Sequence, residues 1–273
     1  MLNFGCNNSN FIKLLSESFY LEPLLKGDLT HQAELLSLRQ DMTTLLSFVE
    51  ENKVVGTQST GNMPLKMIRQ LTSNFVNPPK LEHKIGDRIY KIRSESEVWQ
   101  LYFLHILAEV GNLLKIAPSK QWRLKPAGRK FLNVPPLNQV LYLLMIWWYR
   151  VNWLVAYQIA GIGEKLPNNF EIITLESLTN IPANTRASFE EFADLLIQKT
   201  GLRWTASDST FVRKFLYSSI EKIVIDILAT FGMIEQEYLD EPLGKAKIPK
   251  LVSFKITSYG VALLKANKMI VID

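Results

Sequence analysis

Cysteine and histidine are scarce in this chain, and their scarcity limits the redox and metal chemistry that it can carry. Among 273 residues there is one cysteine, Cys6, so no internal disulfide can form. A reducing compartment, the cytoplasm, is therefore expected. The three histidines, His31, His83 and His105, do not have the spacing of zinc ligands. We expect neither a metal site nor a bound cofactor.

Catalytic motifs are missing as well. The chain contains no Gly-x-Ser-x-Gly, His-Glu-x-x-His or Walker loop. Residues 161–163 read Gly-Ile-Gly, half of a glycine-rich phosphate loop, but they lack the flanking strand and helix and predict a turn. His105 is surrounded by apolar residues, a pattern typical of a satisfied core histidine rather than a base or a ligand. These features favour a protein that is not an enzyme.

Only one long apolar run raises the question of a membrane. Residues 141–149 and 153–156 are almost entirely apolar, but Arg150 and Asn152 interrupt them. The uninterrupted run is shorter than the roughly 20 residues that a spanning helix needs. The pattern predicts a buried central helix over 137–160, and the N-terminus lacks the pattern of a secretory signal. Whether this Trp-rich helix lies in the core, faces a partner or rests on a membrane stays open.

Acidic residues are absent from three segments of the chain. Residues 52–81, 110–163 and 242–272 hold 4, 7 and 6 Lys+Arg and no Asp or Glu, so they carry +17 while the remainder carries −12. Each segment contains one strand–Gly–helix pattern. Clustered Lys and Arg without acids are the footprint expected for phosphate binding. A solvated basic face, or an apolar helix that lacks acids for trivial reasons, explains the pattern equally well.

A short pattern occurs twice. Residues 106–113 and 227–234 both contain Ile-Leu-Ala-x-x-Gly, and each is followed by a strand-like run, a second glycine and a short apolar helix. The runs that close the two copies are Leu124-Lys125-Pro126-Ala127-Gly128 and Ile256-Thr257-Ser258-Tyr259-Gly260. A helix that ends at Gly, a two-stranded turn and a further helix resemble winged-helix domains of the MarR/PadR-like kind, in which the closing strand commonly reads Leu-Thr-x-x-Gly. With the downstream tryptophans, the chain also resembles uncharacterised bacterial proteins.

The resemblance implies a mostly α fold with small β-hairpin wings, in which two winged-helix-like units are joined by a central helical segment. Four segments are predicted. Residues 1–79 form an N-terminal helical region with a strand–Gly–helix element, and 80–135 form the first winged-helix-like unit. Residues 136–204 hold the central apolar helix and a connecting helical segment, and 205–273 form the second unit.

In domains of this kind the helix before the wing enters the major groove of DNA. Predicted helix 94–110 carries Glu95, Glu97 and Glu109, which would repel phosphates, so it is interpreted as a packing or protein-binding helix. Predicted helix 210–231 is basic and rich in hydroxyl groups. The residues expected to contact nucleic acid in the second unit are Arg213, Lys214, Tyr217, Ser218, Lys222, Lys245, Lys247 and Lys250. The first wing and the helix after it add Lys120, Arg123, Arg129 and Lys130 as phosphate contacts, beside Lys115 and Lys125.

Two functions from different classes are compatible with these patterns. The first is nucleic-acid binding, with duplex DNA as the expected target and phosphates as the main contacts. The alternative is an adaptor subunit of a larger bacterial assembly, in which the winged-helix units are docking surfaces for a protein partner or a second copy of the chain. Peripheral membrane association through 137–160 is a third and weaker interpretation.

Overall fold

The computed structural model describes residues 28–272, except 158, 160, 164, 206–210, 244 and 245, and it does not describe the side chains of 85, 243, 246 and 267–272. The chain is mostly helical, with small antiparallel sheets of two or three strands. This confirms the predicted class at that level. The chain divides into two compact units between Val151 and Asn152. The predicted central segment 136–204 contains this boundary, and the finer division into four segments stays a prediction.

The first unit is built mainly from helices. Its elements are α1 (Asp28–Leu35), α2 (Ser37–Glu51), α3 (Leu65–Thr72), β1 (Glu82–Ile85), β2 (Arg88–Lys91), a 3-10 turn (Glu95–Glu97), α4 (Trp99–Val110), β3 (Leu114–Ile116), β4 (Trp122–Leu124), α5 (Pro126–Asn133) and α6 (Pro136–Arg150).

Helix α6 lies in the core of the first unit. Every residue from 137 to 148 is buried, including Trp147 and Trp148. The predicted single helix over 137–160 is wrong in its extent, because α6 ends at Arg150 and a new helix begins at Trp153. The Asn152 side chain accepts hydrogen bonds from the N–H groups of the next helix, as an N-cap does. Trp153, the first residue of that helix, is also buried, with 1% of its surface exposed. In the described part of the chain no helix has the length and apolar character needed to cross a bilayer.

The second unit combines helices with a three-stranded sheet. Its elements are α7 (Trp153–Ala156), α8 (Phe170–Thr179), β5 (Arg186–Ser188), α9 (Phe189–Thr200), α10 (Val212–Ile220), a π-helical segment (Glu221–Asp226), α11 (Ile227–Thr230), β6 (Ile234–Leu243), β7 (Ala246–Ile256) and α12 (Ser258–Ile272). The polar sequence from 164 to about 186 predicts a less regular stretch, but α8 and β5 lie within or at the end of it. The spacing of Ser188 and Glu191 in the sequence predicts a helix cap at Ser188. The structure confirms this cap, since the Ser188 hydroxyl accepts from the Glu191 N–H at 3.3 Å.

Both units follow the order helix, strand, helix, helix, strand, strand, helix. In the second unit these elements are α8, β5, α9, α10–α11, β6, β7 and α12, and the sheet order is β5-β7-β6. In the first unit they are α2, residues 54–56, α3, α4, β3, β4 and α5, with β1–β2 inserted before α4. Val55 pairs with Gln121 beside β4, which places residues 54–56 where β5 lies in the second unit. The repeat is therefore longer than the sequence pattern shows.

The turns that follow α4 and α11 show which residues of the two copies are equivalent. Asn112 and Gly232 both adopt a left-handed backbone, with φ of 59° and 69°. The following residue of each copy donates to the carbonyl five positions earlier, Leu113 to Ala108 and Met233 to Leu228, both at 2.8 Å. This is the Schellman motif that ends helices. Asn112 is thus equivalent to Gly232, and the predicted alignment of Gly111 with Gly232 is off by one residue.

The glycines at the two closing helices are equivalent, as the pattern predicts. A Cβ on Gly128 would lie 2.3 Å from the carbonyl oxygen of Leu113, and one on Gly260 would lie 2.2 Å from that of Met233. Those carbonyls accept from Lys125 and Thr257 at 2.9 and 3.0 Å. Only glycine allows the closing helix to approach the strand so closely in both copies.

Candidate nucleic-acid surface and adjoining cleft

Four of the basic side chains predicted to contact nucleic acid in the second unit, Arg213, Lys222, Lys247 and Lys250, are paired with carboxylates. Arg213 Nη2 lies 2.7 Å from Asp194 Oδ2, and Arg213 Nε donates to the Tyr217 hydroxyl at 2.8 Å. Tyr217 in turn donates to Asp194 Oδ1 at 2.6 Å. The hydrogen bond with Tyr217 and the charge of Asp194 raise the pKa of Arg213. Asp194 closes this cluster from α9, a neighbour that the sequence pattern of helix 210–231 does not reveal.

Other cations of the second unit have acidic partners too. Lys222 lies 2.7 Å from Asp226, Lys250 lies 2.9 Å from Glu190 and Lys247 lies 3.6 Å from Asp240. Exposed pairs of this kind stabilise the fold little, but they cancel charge that a phosphate would otherwise meet. Lys214 and Ser218 are exposed, and Lys245 lies outside the described residues.

The positive charge of the protein belongs to the first unit. Residues 28–151 contain 16 Lys+Arg and 10 Asp+Glu, a net charge of +6, whereas residues 152–273 contain 13 and 14, a net charge of −1. The sequence patterns favour the second unit as the reader of nucleic acid, because there the basic residues share one helix. The net charges instead point to the first unit as the one better suited to contact phosphates.

A basic surface follows the β3–β4 hairpin and α5 of the first unit. Arg123 and Lys130 are exposed, Lys120 is half-buried, and Arg129 pairs with Glu50 at 2.7 Å. Arg123 donates to the neutral Gln121 side chain, and Lys125 donates to Asn112. Among the ion pairs of the described residues, Arg129 supplies the single one on this surface. We call Lys115, Lys120, Arg123, Lys125, Arg129 and Lys130 the hairpin surface.

The acidic character predicted for helix 94–110 is smaller than expected. Glu95 is fully buried, and it precedes α4 in the 3-10 turn. Glu97 turns back to accept from the Arg93 N–H at 3.1 Å. Of the three carboxylates, Glu109 is the one that lies on α4 itself, with 54% of its side chain exposed. The argument that α4 repels phosphates is therefore weaker than the sequence suggests.

Buried Glu95 holds the ring of His105 in a fixed position. Glu95 Oε2 accepts from the Met63 N–H and Oε1 lies against His105 Nδ1, both at 2.5 Å. The His105 ring also packs on Trp122, with centroids 4.2 Å apart, and the Trp122 indole N–H donates to the Gly61 carbonyl at 2.8 Å. His105 is 6% exposed, so its burial is confirmed.

The second ring nitrogen of His105 is not satisfied. His105 Nε2 is buried and has no hydrogen-bond partner among the described residues, and the nearest carboxylate oxygen, Glu109 Oε2, is 3.6 Å away. A buried polar atom without a hydrogen-bond partner lowers the stability of the folded state by about 1–3 kcal/mol, and in native proteins such atoms are rare. The interpretation of His105 as a core histidine is thus confirmed by its burial and by the contact of Nδ1 with Glu95, whereas Nε2 has no such contact among the described residues.

A cleft of about 500 Å³ opens beside His105. Three elements of the first unit form it: the outer face of α4, the loop that ends at Asn62, and the turn between β3 and β4. Its polar lining comes from Thr60, Asn62, Tyr102, His105, Glu109 and Lys120. Lys120 adopts a left-handed backbone, with φ of 61°, which is uncommon for a lysine. The cleft therefore adjoins the hairpin surface and shares Lys120 with it.

In the described part of the chain, no three His, Cys, Asp or Glu side chains are grouped so that they could hold a metal ion. The comparisons with known proteins add no homologue: no family model, no curated protein and no solved structure matches this chain.

Proposed function

We propose that the protein binds nucleic acid through sequence-independent contacts to phosphates, and that the hairpin surface of the first unit makes them. The observation that carries this proposal is the division of charge, +6 for residues 28–151 and −1 for residues 152–273. Five of the six cations of the hairpin surface have no carboxylate partner among the described residues, so they are available to replace the counterions of a phosphate backbone. Duplex DNA is the expected target.

The order of elements supports a winged-helix assignment for both units. In each unit a hairpin directly follows a helix, α4 in the first and α10–α11 in the second. Beside the last strand of the hairpin lies one further paired segment, the Val55 bridge in the first unit and β5 in the second. In this arrangement α4 is the helix that enters a groove and β3–β4 is the wing. The hairpin surface then lies on the wing and on the helix that follows it, where phosphate contacts are expected.

The second unit has a different surface, which favours the adaptor function as a second candidate. Phe211 and Phe215 are 47% and 44% exposed, and Phe215 stacks on Trp204 with ring centroids 5.0 Å apart. Exposed aromatic side chains are typical anchors of protein interfaces. In this proposal the first unit holds nucleic acid and the second docks a protein partner or another copy of the chain, which sedimentation of wild type and Phe215→Ser would distinguish.

Removal of two cations from the hairpin surface tests the main proposal. We expect Arg123→Gln/Lys130→Gln to lower affinity for a 20-base-pair duplex about tenfold or more, and to lower the slope of log K against log salt by about 1.8. Fluorescence anisotropy at several salt concentrations measures both values.

The matched control is Lys247→Gln/Lys250→Gln, which removes the same charge from β7, where both lysines have acidic partners. We expect this variant to change affinity less than twofold. If the control weakens binding as much as the hairpin variant does, the hairpin surface is not the binding surface.

A further inference from the structure

The cleft beside α4 is lined by two groups that accept hydrogen bonds in the arrangement described next, one on His105 and one on Glu109. Glu95 Oε2 accepts from the Met63 N–H, and an ionised Glu95 accepts at Oε1 from the Nδ1–H of His105. In the neutral ring Nε2 is then an acceptor. It lies 3.6 Å from Glu109 Oε2, and both residues line the cleft. A ligand with two neighbouring N–H donors would satisfy both at once.

The rest of the cleft supplies a donor and walls for a flat group. Lys120 provides an ammonium group. The Tyr102 ring and the apolar side chains of Ile106, Ile116 and Pro118 provide surface for a planar ring. A simple cation as ligand fits poorly, because Lys120 belongs to the same lining. A planar molecule that carries adjacent donors beside an acceptor matches His105, Glu109 and Lys120 together.

Guanine is the nucleobase with that pattern. Its Watson–Crick edge has the N1–H and N2–H₂ donors side by side, next to the O6 acceptor, whereas adenine, cytosine and uracil have no two adjacent donors. Unpaired bases are commonly recognised through this edge and by stacking on aromatic rings. We propose that the cleft binds the guanine of an unpaired nucleotide, with the donors on Glu109 and His105 and an acceptor on Lys120.

This inference deepens the proposed function and rests on it in one respect, since Lys120 belongs both to the cleft and to the hairpin surface. The guanine can come from a strand held on that surface or from a free nucleotide. The chemistry is the same in the two cases, and the experiment separates them.

Single-stranded oligonucleotides test the base preference. Fluorescein-labelled 11-mers of thymidine with a central guanine, adenine or cytosine are titrated with the full chain, and anisotropy gives the affinities. We expect the guanine strand to bind at least about fivefold more tightly than the others. Competition by guanosine 5′-monophosphate, with adenosine 5′-monophosphate beside it, identifies the source. Displacement by the guanosine compound alone supports a free nucleotide, and preference restricted to the strand supports a strand nucleotide.

Glu109→Gln is expected to change two measured quantities differently, the preference for guanine and the affinity for the all-thymidine strand. Glu109 is exposed, so its replacement leaves the fold intact. We expect the guanine preference to fall below twofold. Affinity for the all-thymidine strand stays equal or rises, since a carboxylate near phosphates has been removed. Glu97→Gln is the matched control and keeps the preference. Equal affinity for all bases in the wild type, or an unchanged preference in Glu109→Gln, overturns the proposal.

The two proposals fail separately. Arg123→Gln/Lys130→Gln weakens every oligonucleotide by the same factor if the hairpin surface binds phosphates. If that variant has no effect and the guanine preference persists, the proposed function is wrong and the cleft assignment stands.

Discussion

Lys120 keeps a backbone conformation that is unfavourable for lysine. Its N–H donates to the Ala117 carbonyl and its own carbonyl accepts from the Gly56 N–H, both at 2.8 Å, and these bonds hold φ at 61°. A left-handed backbone costs an L-residue about 1–2 kcal/mol, and Asn or Gly adopts it at a lower cost. Strain that persists at a residue lining a cleft points to a role for its side chain.

Replacement of Lys120 separates strain from charge. We expect Lys120→Asn to leave the free energy of unfolding unchanged or to raise it by up to about 1 kcal/mol, while the salt slope of duplex binding falls by about 1. Urea unfolding and anisotropy measure the two effects. Lys130→Asn in α5 is the control. It removes the same charge but loses a few tenths of a kcal/mol through helix propensity. A loss of more than about 1 kcal/mol in Lys120→Asn would contradict the strain argument.

At the scale of elements, the helix before the hairpin of the second unit, which comprises α10, the π-helical segment and α11, departs from the expected continuous α-helix over 210–231. Residues Ile223, Val224, Ile225, Ile227 and Leu228 are all buried, whereas about half of the Lys222 side chain on the remaining face is exposed. The π-helical segment Glu221–Asp226 lies within this stretch. Its end residues contact β6, where Tyr238 donates to Glu221 at 3.2 Å and Gln236 donates to Asp226 at 2.8 Å. Such segments are rare and often functional.

The π-helical segment places a carboxylate in an unfavourable site. Burial and the nearby charge of Asp226 raise the pKa of Glu221 above its ordinary 4.5. The folded state therefore binds the proton of Glu221 more tightly than the unfolded chain does, so this group favours folding at low pH and opposes it once ionised. We expect Glu221→Gln to raise the free energy of unfolding at pH 7 by less than about 1 kcal/mol, since half-exposed charges are screened.

Urea unfolding at several pH values checks this prediction. The advantage of Glu221→Gln over the wild type should shrink as pH falls below the raised pKa and should vanish near pH 4, where the wild-type carboxyl is also neutral. Glu241→Gln removes the same charge from the exposed part of β6 and serves as control. An advantage that is constant from pH 7 to pH 4 would show that ionisation of Glu221 is not its cause.

The sequence predicts several elements in both halves of each repeat, but it shows the correspondence between the two copies only in their later halves. The hairpin after α4, the closing glycines Gly128 and Gly260 and the cap at Ser188 follow from turn chemistry, which is local. Helices α2 and α8 share no visible sequence pattern, because any apolar stripe can occupy that place. The register is misjudged by one residue because Asn112 takes the left-handed position that Gly232 takes in the other copy.

The candidate site is harder to predict than the fold, for a physical reason. The lining of the cleft comes from residues between 60 and 120, and its fixed geometry depends on a buried contact of Glu95 with Met63. The ion pair of Arg213 with Asp194 likewise joins two helices. The residue types on one helix do not show which carboxylates on another helix will pair with its cations. A helix that is basic in sequence can therefore have its charge cancelled in the folded protein.

At the scale of the whole molecule, charge and aromatic surface lie on different units. The first unit carries +6, and the second carries −1 and the exposed pair Phe211 and Phe215. A ligand that binds the folded state stabilises the part it contacts, by about 2.7 kcal/mol at a concentration of 100 Kd. Nucleic acid is therefore expected to protect one unit and not the other.

Hydrogen exchange of the full chain, with and without saturating duplex DNA, measures this division. We expect amides of α4, β3 and β4 to exchange more slowly in the complex, while amides of β6 and β7 are unchanged. Slower exchange confined to residues 152–273 would assign nucleic-acid binding to the second unit instead.

The left-handed lysine also has a genetic consequence. A single change in the third base of a lysine codon gives asparagine, the residue that the backbone at position 120 tolerates better. A single nucleotide substitution therefore gives a residue that adopts this backbone conformation with less strain. A lineage that keeps lysine there does so against this drift, and a homologue with asparagine or glycine at the same turn is expected to have lost the function of the cleft while keeping its fold.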